Sequence, residues 1–492
     1  MPSRILLGSR ALVGAVLPVA LASTLTFSFA ACSGLKASNE PQEAGADGGD
    51  EGGPITDDGG LTDGATGDSA TGDAGGPPVD FECGTDPWTK TTKGKKECEP
   101  RQVKIVETPA PADVRSISIA RTPMGRVGIA YNSSQGAETD EFHLVHFTPT
   151  TPTYPPPKLV SRSTGFAFHD GYVSRLAAMA PDTLQALTYD WDDSSGSGEV
   201  HLRKLVAGAE PLTDALVATG VKFPTEVAFG SDLAGNTVAA YRVATTATVA
   251  KLAAKKGTPT GMFTALPDLG TSLHFKDAPG VGAGSIFVDP GGQVHLLYQY
   301  DDDALAPQFS TPRYHTLAGA TWSDKKTIHN NAPDGTSGFS PSIAVFGTRK
   351  YAAFFHRKAA QVGAVTAELL LVTFDSLLDT PKVELLEEKI PAADASYPAY
   401  RVAIAVDKFG LVHLAILRPT DDAPNNGYLE YRRQTPDPAG GTKWLSDIVD
   451  PSVFNAASSA YVDMVVDENA RPHIAYRSGK DDSVRYATRY DR

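Results

Sequence analysis

Between Ser116 and Tyr476 the chain repeats one pattern seven times: a short β-branched run, a tight turn, and a second run closing on an aromatic or large apolar residue. The clearest copies are Ser285-Ile286-Phe287-Val288-Asp289 with Val294-His295-Leu296-Leu297-Tyr298, and Asp463-Met464-Val465-Val466-Asp467 with Pro472-His473-Ile474-Ala475-Tyr476. Apolar runs of about five residues bounded by Asp, Gly and Pro mark strands and hairpins, and no helical period competes with them. The second runs close on Tyr131, Tyr189, Tyr241, Tyr298, Phe355, Ile416 and Tyr476, 52 to 61 residues apart. A period of that length marks a propeller or another repeat array. The pattern predicts one all-β domain, a seven-bladed β-propeller of four-stranded sheets over residues 102–492.

Third strands are expected at Phe142 to Phe147, Val200 to Leu205, Leu369 to Phe374, Tyr428 to Arg432 and Val484 to Ala487, with fourth strands at Trp322 to Ile328 and Trp444 to Val449. The seventh repeat runs out at Arg492 after three strands. Gln102 to Val106, ahead of the first repeat, is a strand of the right type, so the last blade is expected to be closed by this N-terminal strand. Radial packing buries both faces of each sheet and leaves only short edges. Asp289, Asp407 and Asp467 open turns containing Gly291, Gly410 and Asn469, which suit the positive φ that tight turns need. Repeats two and three are the least regular, and Ala250 to Thr260 leaves room for a different connection.

The N-terminus changes the picture. Arg4 and Arg10 precede an apolar stretch from Ala11 to Ala31, which ends in Phe29-Ala30-Ala31-Cys32-Ser33. Small residues before a cysteine resemble the lipobox of bacterial lipoproteins, with Phe29 in place of the usual leucine. The resemblance implies a signal peptide over 1–31 and lipidation of Cys32 as the mature N-terminus. The alternative is an uncleaved anchor helix, since about 21 apolar residues span a bilayer; Pro18 and the Ser/Thr content from Ser23 to Ser28 favour processing. With Cys32 lipidated, Cys83 and Cys98 remain as an even pair, expected to form a disulfide that staples the lead-in over 80–101. Such a loop contributes about 3 kcal/mol when unstrained. A zinc site is the rival reading, and no histidine pair lies near these cysteines.

Ala37 to Val79 is Gly, Asp, Ala and Thr with ten acids and no Lys or Arg. Residues 32–79 therefore read as a lipidated cysteine followed by a disordered tether, with an end-to-end distance of about 35–40 Å. The formal charge is −14 overall, and the tether and the N-terminal cations leave about −7 for everything from Asp80 onward. No basic face for nucleic acid is expected.

The polar positions inside the repeats carry the candidate chemistry. Aligning the first strands places Ser116, Arg175, Glu226, Ser285, Ser342, Ala403 and Asp463 at one position, at the mouth of the central channel if the first strands are innermost. Alternation adds Arg401 to the ring. Such a ring is either a wet, hydrating lining or a site grafted on a symmetric frame. After the second strands come Asp190, Asp192 and Asp193, then Asp301, Asp302 and Asp303, then Asp421 and Asp422, then Asp481 and Asp482. These acids suit calcium or a cationic partner, or they are solvated turn tips. Trp191 and Tyr300, interleaved with them, offer faces on which a sugar or peptide stacks. His295, His413 and His473 occupy equivalent positions on separate blades and are expected to bond within their own sheets rather than bind a metal.

Phrases such as Ala403-Ile404-Ala405-Val406-Asp407-Lys408-Phe409-Gly410-Leu411-Val412-His413-Leu414 resemble the repeats of bacterial sialidase-like propellers and other secreted glycan-associated proteins. The likeness runs from Val103 to Arg492. It implies, for a sialidase, an arginine triad, a tyrosine nucleophile with a glutamate partner, and an aspartate acid. Only Arg175 and Arg401 fall on suitable positions, and the Ser-x-Asp-x-Gly-x-x-Trp box survives only as the fragment Trp322-Ser323-Asp324. For a polysaccharide lyase the resemblance implies a cation that neutralises a uronate and a His or Tyr base, and His169, Tyr172 and Arg175 lie in one short stretch. No phosphate loop, Gly-x-Ser-x-Gly elbow, His-Glu-x-x-His or dinucleotide fingerprint occurs.

The sequence leads to a monomeric lipoprotein of the cell envelope, anchored through its lipid and expected at the outer membrane, facing the periplasm or the surface. Its propeller is expected to bind a glycan or envelope protein at Arg175, Glu226, Arg401, Asp463, Trp191 and Tyr300, without catalysis and without a cofactor. The alternative is a carbohydrate-active enzyme, lyase or glycosidase, at the same mouth. A calcium-dependent adhesin is the third.

Overall fold

Seven antiparallel sheets follow one another along the chain of this computed structural model, each begun by the hairpin that the repeat predicts, although the fourth strand expected at Trp322 to Ile328 is two short pieces, Thr321–Trp322 and Lys326–Thr327. The structure describes residues 91–93, 96–106, 113–134, 140–149, 156–162, 168–192, 195–206, 213–221, 227–244, 249–269, 273–274, 284–301, 310–330, 335–358, 366–391, 401–419, 427–454, 461–478 and 483–491. All belong to one unit, Asp73–Arg492. The expected signal peptide, Cys32, the tether and Cys83 lie outside the described residues, as does the proposed Cys83–Cys98 pairing.

Blade one has strands Asp113–Arg121, Val127–Ser134, Asp140–Phe147 and Lys158–Arg162. Blade two has Phe168–Met179, Thr183–Asp192, Ser197–Val206 and Thr213–Val221. Blade three starts at Val227–Ser231 and blade four at Ser285–Val288. Gly335–Phe346, Arg401–Val406 and Val462–Val466 open blades five, six and seven. The irregular stretch resolves simply, because Val249–Gly257 is the third strand of blade three and pairs with Thr237–Ala244 in unbroken register.

The first strands contact one another in a closed cycle, each touching the next and the seventh returning to the first. That is a seven-bladed β-propeller with first strands innermost. Lys96–Val106 pairs with the final strand, Ser483–Asp491, with Lys104 opposite Arg485, so the last blade is closed by an N-terminal strand. Thr91–Lys93 adds a fifth strand outside it.

Because side chains alternate across a strand, each blade presents one apolar face to the blade before it and one to the blade after. In blade one Ile117, Ile119, Val127, Ile129 and Tyr131 pack on Ala475, Val484 and Tyr486 of blade seven. Ala120, Ala130, Phe142 and Leu144 pack on Leu176, Leu184 and Ala186 of blade two. The core is thus a set of seams. No water reaches most of it, and each aliphatic side chain so buried contributes about 1.5–3 kcal/mol.

Two sequence readings shift by one residue. The residue that closes each seam is Tyr131, Tyr298 or Tyr476 in blades one, four and seven, but in blade five it is Phe354, not Phe355. In blade two it is Thr188, because Tyr189 turns to the other face and packs with Val227 and Tyr241 of blade three. An irregularity between His169 and Val173 accompanies the slip, and a slip of one residue moves a side chain to the opposite face. The turns need correction as well. Positive φ falls on Gly292, Gly410 and Ala470, the fourth residue counted from the aspartate, rather than on Gly291 and Asn469. There the N–H of Gly410 donates to the carbonyl of Asp407, and the equivalent bonds join Gly292 to Asp289 and Ala470 to Asp467.

Candidate functional site

The residue that faces the following blade next to the channel is Ser118, Arg175, Ala228, Ser285, Ser342, Ala403 or Asp463, as the seam packing assigns it. Five of these stand in the sequence alignment. Ser116 does not: it lies two residues earlier on the same face, where its hydroxyl is 3.1 Å from that of Ser174 of blade two. Glu226 lies outside the described residues, and Ala228 holds the blade-three position.

Four of the seven side chains do the same job. Ser118, Ser285 and Ser342 accept hydrogen bonds from the backbone N–H of Leu176, Ile343 and Ile404 in the next blade. Asp463 accepts from the N–H of Ile119, which carries the pattern across the point where the first and last blades meet. Inner strands have no neighbour on their channel side, so these oxygens satisfy donors that the sheets leave open.

Asp463 has further partners. Its Oδ2 also accepts from the Ser118 hydroxyl at 2.8 Å, and its Oδ1 from its neighbour's N–H, that of Met464. Burial pushes its carboxyl above the usual range, against the pull of the Ile119 N–H, the nearby Arg175 charge and the Ser118 hydroxyl. It remains partly open to solvent. Arg175, also partly open, donates to the carbonyl of Ser174. Asp463, Ser118 and Arg175 therefore form one polar arc over blades seven, one and two.

The other nominated residues are placed elsewhere. Arg401 is buried, its guanidinium 5.4 Å from the ring of Tyr461 on the seam between blades six and seven. Trp191 is half-buried and packs into the seam between blades two and three beside Tyr189. Tyr300 packs between blades three and four, with the Arg313 guanidinium 4.0 Å from its ring. His169 and Tyr172 lie on the first strand of blade two, His169 opposite Trp191, and only their backbone is described. Of the acidic loops, Asp190 and Asp192 are described; Asp193, Asp302, Asp303, Asp421, Asp422, Asp481 and Asp482 lie outside, and Asp301 only as backbone. Among the described residues no group of three His, Cys, Asp or Glu is arranged to hold a metal ion.

The equivalent histidines each join a turn to a third strand. His413 Nδ1 lies 2.6 Å from the hydroxyl of Tyr431, and its Nε2 3.3 Å from Asp407, whose other oxygen accepts from the N–H groups of Phe409 and Leu411. His295 and His473 are placed alike, their Nδ1 atoms 2.7 and 2.6 Å from the hydroxyls of Tyr314 and Tyr486, and their Nε2 atoms 3.5 and 3.6 Å from Asp289 and Asp467, close but without hydrogen-bond geometry. These are three copies of a staple within a sheet.

Sequence reasoning missed the polar filling of the first seam. Where five of the other blades place an aromatic ring and blade six Ile416, blade two has Thr188, and Arg203 occupies the space, donating to Thr188 at 2.8 Å and to Asp190 at 2.7 Å. His201 continues outward, bonded to Asp214 and Glu199. Its hydrogen bond to Asp214 raises its pKa against burial, with Asp190 adding to the effect. The missing aromatic at position 188 was the visible signal.

No family model matches the chain, and no curated protein matches it. Solved structures similar to it include an α-L-arabinanase of Penicillium chrysogenum complexed with arabinobiose, at 9% identity and TM-score 0.44, covering 79% of this chain and 97% of that one. A polysaccharide lyase, an ulvan lyase, is similar at 10% identity and TM-score 0.38, over 69% of this chain and 80% of its own. The sialidase of Trypanosoma rangeli follows at 9% identity and TM-score 0.39, over 80% and 59%. The activities are those proteins' own, and the fold of this chain rests on its strand order and closed ring of blades.

Proposed function

We propose that this propeller is a carbohydrate-active enzyme, of the polysaccharide lyase or glycosidase class, with its site on the polar arc of blades seven, one and two. The observation that carries the reading is Asp463, a carboxyl raised by burial and partly open at the channel beside the cation Arg175. Groups with displaced titration that face a cleft are where acid and base chemistry concentrates. A carboxyl whose hold on its proton is strengthened by burial suits protonation of a departing sugar oxygen, and a guanidinium suits an acidic sugar's carboxylate. Arg175 is the one cation among the seven ring positions. His169 and Tyr172, on the strand that carries Arg175, are the candidate bases.

The purified full-length protein, assayed for new reducing ends on uronate-containing and neutral polysaccharides, tests this. Cleavage that falls at least 100-fold in Asp463→Asn and Arg175→Ala supports it; cleavage unchanged in both variants removes it. A second reading, a binding module without turnover, draws support from the four ring oxygens that serve the scaffold. Saturable glycan binding without product would select it.

Export as a lipoprotein attached through Cys32, with a glycan or envelope protein as partner, completes the proposal. Labelled fatty acid should enter the wild type and not Cys32→Ala.

A further inference from the structure

The ring position supplies its own control experiment. Ser118, Ser285 and Ser342 each accept one N–H from the next blade, at 3.0, 3.3 and 3.2 Å. Only Ser118 is also seen to donate to a carboxylate, that of Asp463. The result is a directed chain across three blades, from the Leu176 N–H to the Ser118 oxygen, and from the Ser118 hydroxyl to Asp463 Oδ2. The orientation is fixed by chemistry, because an amide N–H can only donate, which leaves the hydroxyl proton of Ser118 free to point at the acid. Donation from Leu176 polarises that hydroxyl and strengthens what it gives.

We infer that Ser118 is a positioning residue for Asp463: it holds the carboxyl in one orientation at the channel and biases it toward its ionised form. Asp463 Oδ2 accepts two donors from blade one, the Ser118 hydroxyl and the Ile119 N–H, and its Oδ1 accepts the Met464 N–H. Each donor favours the carboxylate, while the surrounding protein favours the acid. The hydroxyl is the one donor of the three that a substitution removes without touching the backbone. Serine at this position is otherwise a scaffold device, so the second bond is what distinguishes blade one. The role of Ser118 deepens the proposed catalytic reading, yet the titration of Asp463 can be followed without any substrate.

The test is the carboxyl band of Asp463, taken as the infrared difference between the full-length protein and Asp463→Asn across a pH series. Ser118→Ala should raise the Asp463 midpoint by about one unit, a tenfold gain in proton affinity. Ser118→Thr keeps the hydroxyl and should restore the wild-type midpoint. Ser118→Cys, a nearly isosteric weak donor, should shift it upward also and serves if the alanine variant does not fold. Ser285→Ala and Ser342→Ala should lower the melting temperature without moving the midpoint. An unmoved midpoint in both the alanine and cysteine variants, or an equal shift in the Ser285 and Ser342 controls, overturns the assignment. If no glycan is cleaved while the midpoint moves as described, the enzyme reading fails and the role of Ser118 stands. Cleavage with an unmoved midpoint gives the reverse.

Discussion

Lys104 lies opposite Arg485 in the ladder that completes blade seven, so the strand Lys96–Val106 and the end of the chain are held in one sheet by backbone hydrogen bonds. Removing residues 91–106 leaves the strand Ser483–Asp491 as an open edge and takes away the link between the two ends. Open edges and unclosed rings are costly and prone to aggregation. The deletion variant is expected to lose cooperative melting or to melt at least about 10 °C lower, as calorimetry would show; an unchanged melting temperature would mean that the noncovalent closure is dispensable.

The histidine staples give stability a pH dependence of known sign. Burial opposes ionisation of Asp407 and Asp467, yet the adjacent His413 and His473 rings and the hydrogen bonds from the turn N–H groups hold both carboxyls below the usual range. Their contribution is full above the unfolded value of about 3.9 and is lost as pH falls through the lower folded value. Burial also holds His295 and His473 below their ordinary value, against the pull of Asp289 and Asp467. Stability from these histidines is present above about 6.5 and declines as pH falls below it. Urea unfolding from pH 8 to 4 should show this decline, and His295→Gln with His473→Gln should flatten it.

Arg203 and Asp190 are a nearly buried pair in the first seam. Arg203→Ala leaves Asp190 without that partner, and breaking such a pair costs about 3–5 kcal/mol. Chemical denaturation should register that loss, and Asp190→Asn in the same background should recover part of it. A loss under about 1 kcal/mol would mean that water replaces the guanidinium.

Ala470 has φ of 59°, in the left-handed region where its equivalents are Gly292 and Gly410. Glycine there relieves a strain of about 1–2 kcal/mol, less the entropy that glycine adds to the unfolded chain. Ala470→Gly should therefore raise stability by up to about 1 kcal/mol in denaturant titrations.

Asp463 works in the opposite sense to the staples. A carboxyl whose folded value is raised adds stability below its unfolded value of about 3.9 and loses it as pH rises through the folded value. The stability of Asp463→Asn relative to the wild type should thus improve as pH rises from about 4 through the raised folded value. A difference independent of pH would show that the carboxyl titrates normally.

The architecture was legible because each blade writes the same hairpin, and the chain runs out of strands exactly once, at Arg492, where Gln102 to Val106 supplies the missing one. Side-chain equivalence was less legible. Period two makes residues two apart look alike, which is why Ser116 was aligned where Ser118 stands, and the slip before Val173 hides that Thr188 replaces Tyr189. Trp191 and Tyr300 read as exposed faces because they neighbour acids in sequence, whereas both pack into seams. The double use of Ser118 carries no sequence signal, since it depends on a partner 345 residues away.

That double use ties two demands to a single atom. Asp463 Oδ2 both bonds the first blade to the last and belongs to the arc that faces the channel. Blades three and six have alanine at this place, Ala228 and Ala403, which are packed in the seams with blades four and seven and carry no polar side chain to serve both ends. Any change of recognition chemistry at Asp463 would therefore also act on the joint between the first blade and the last.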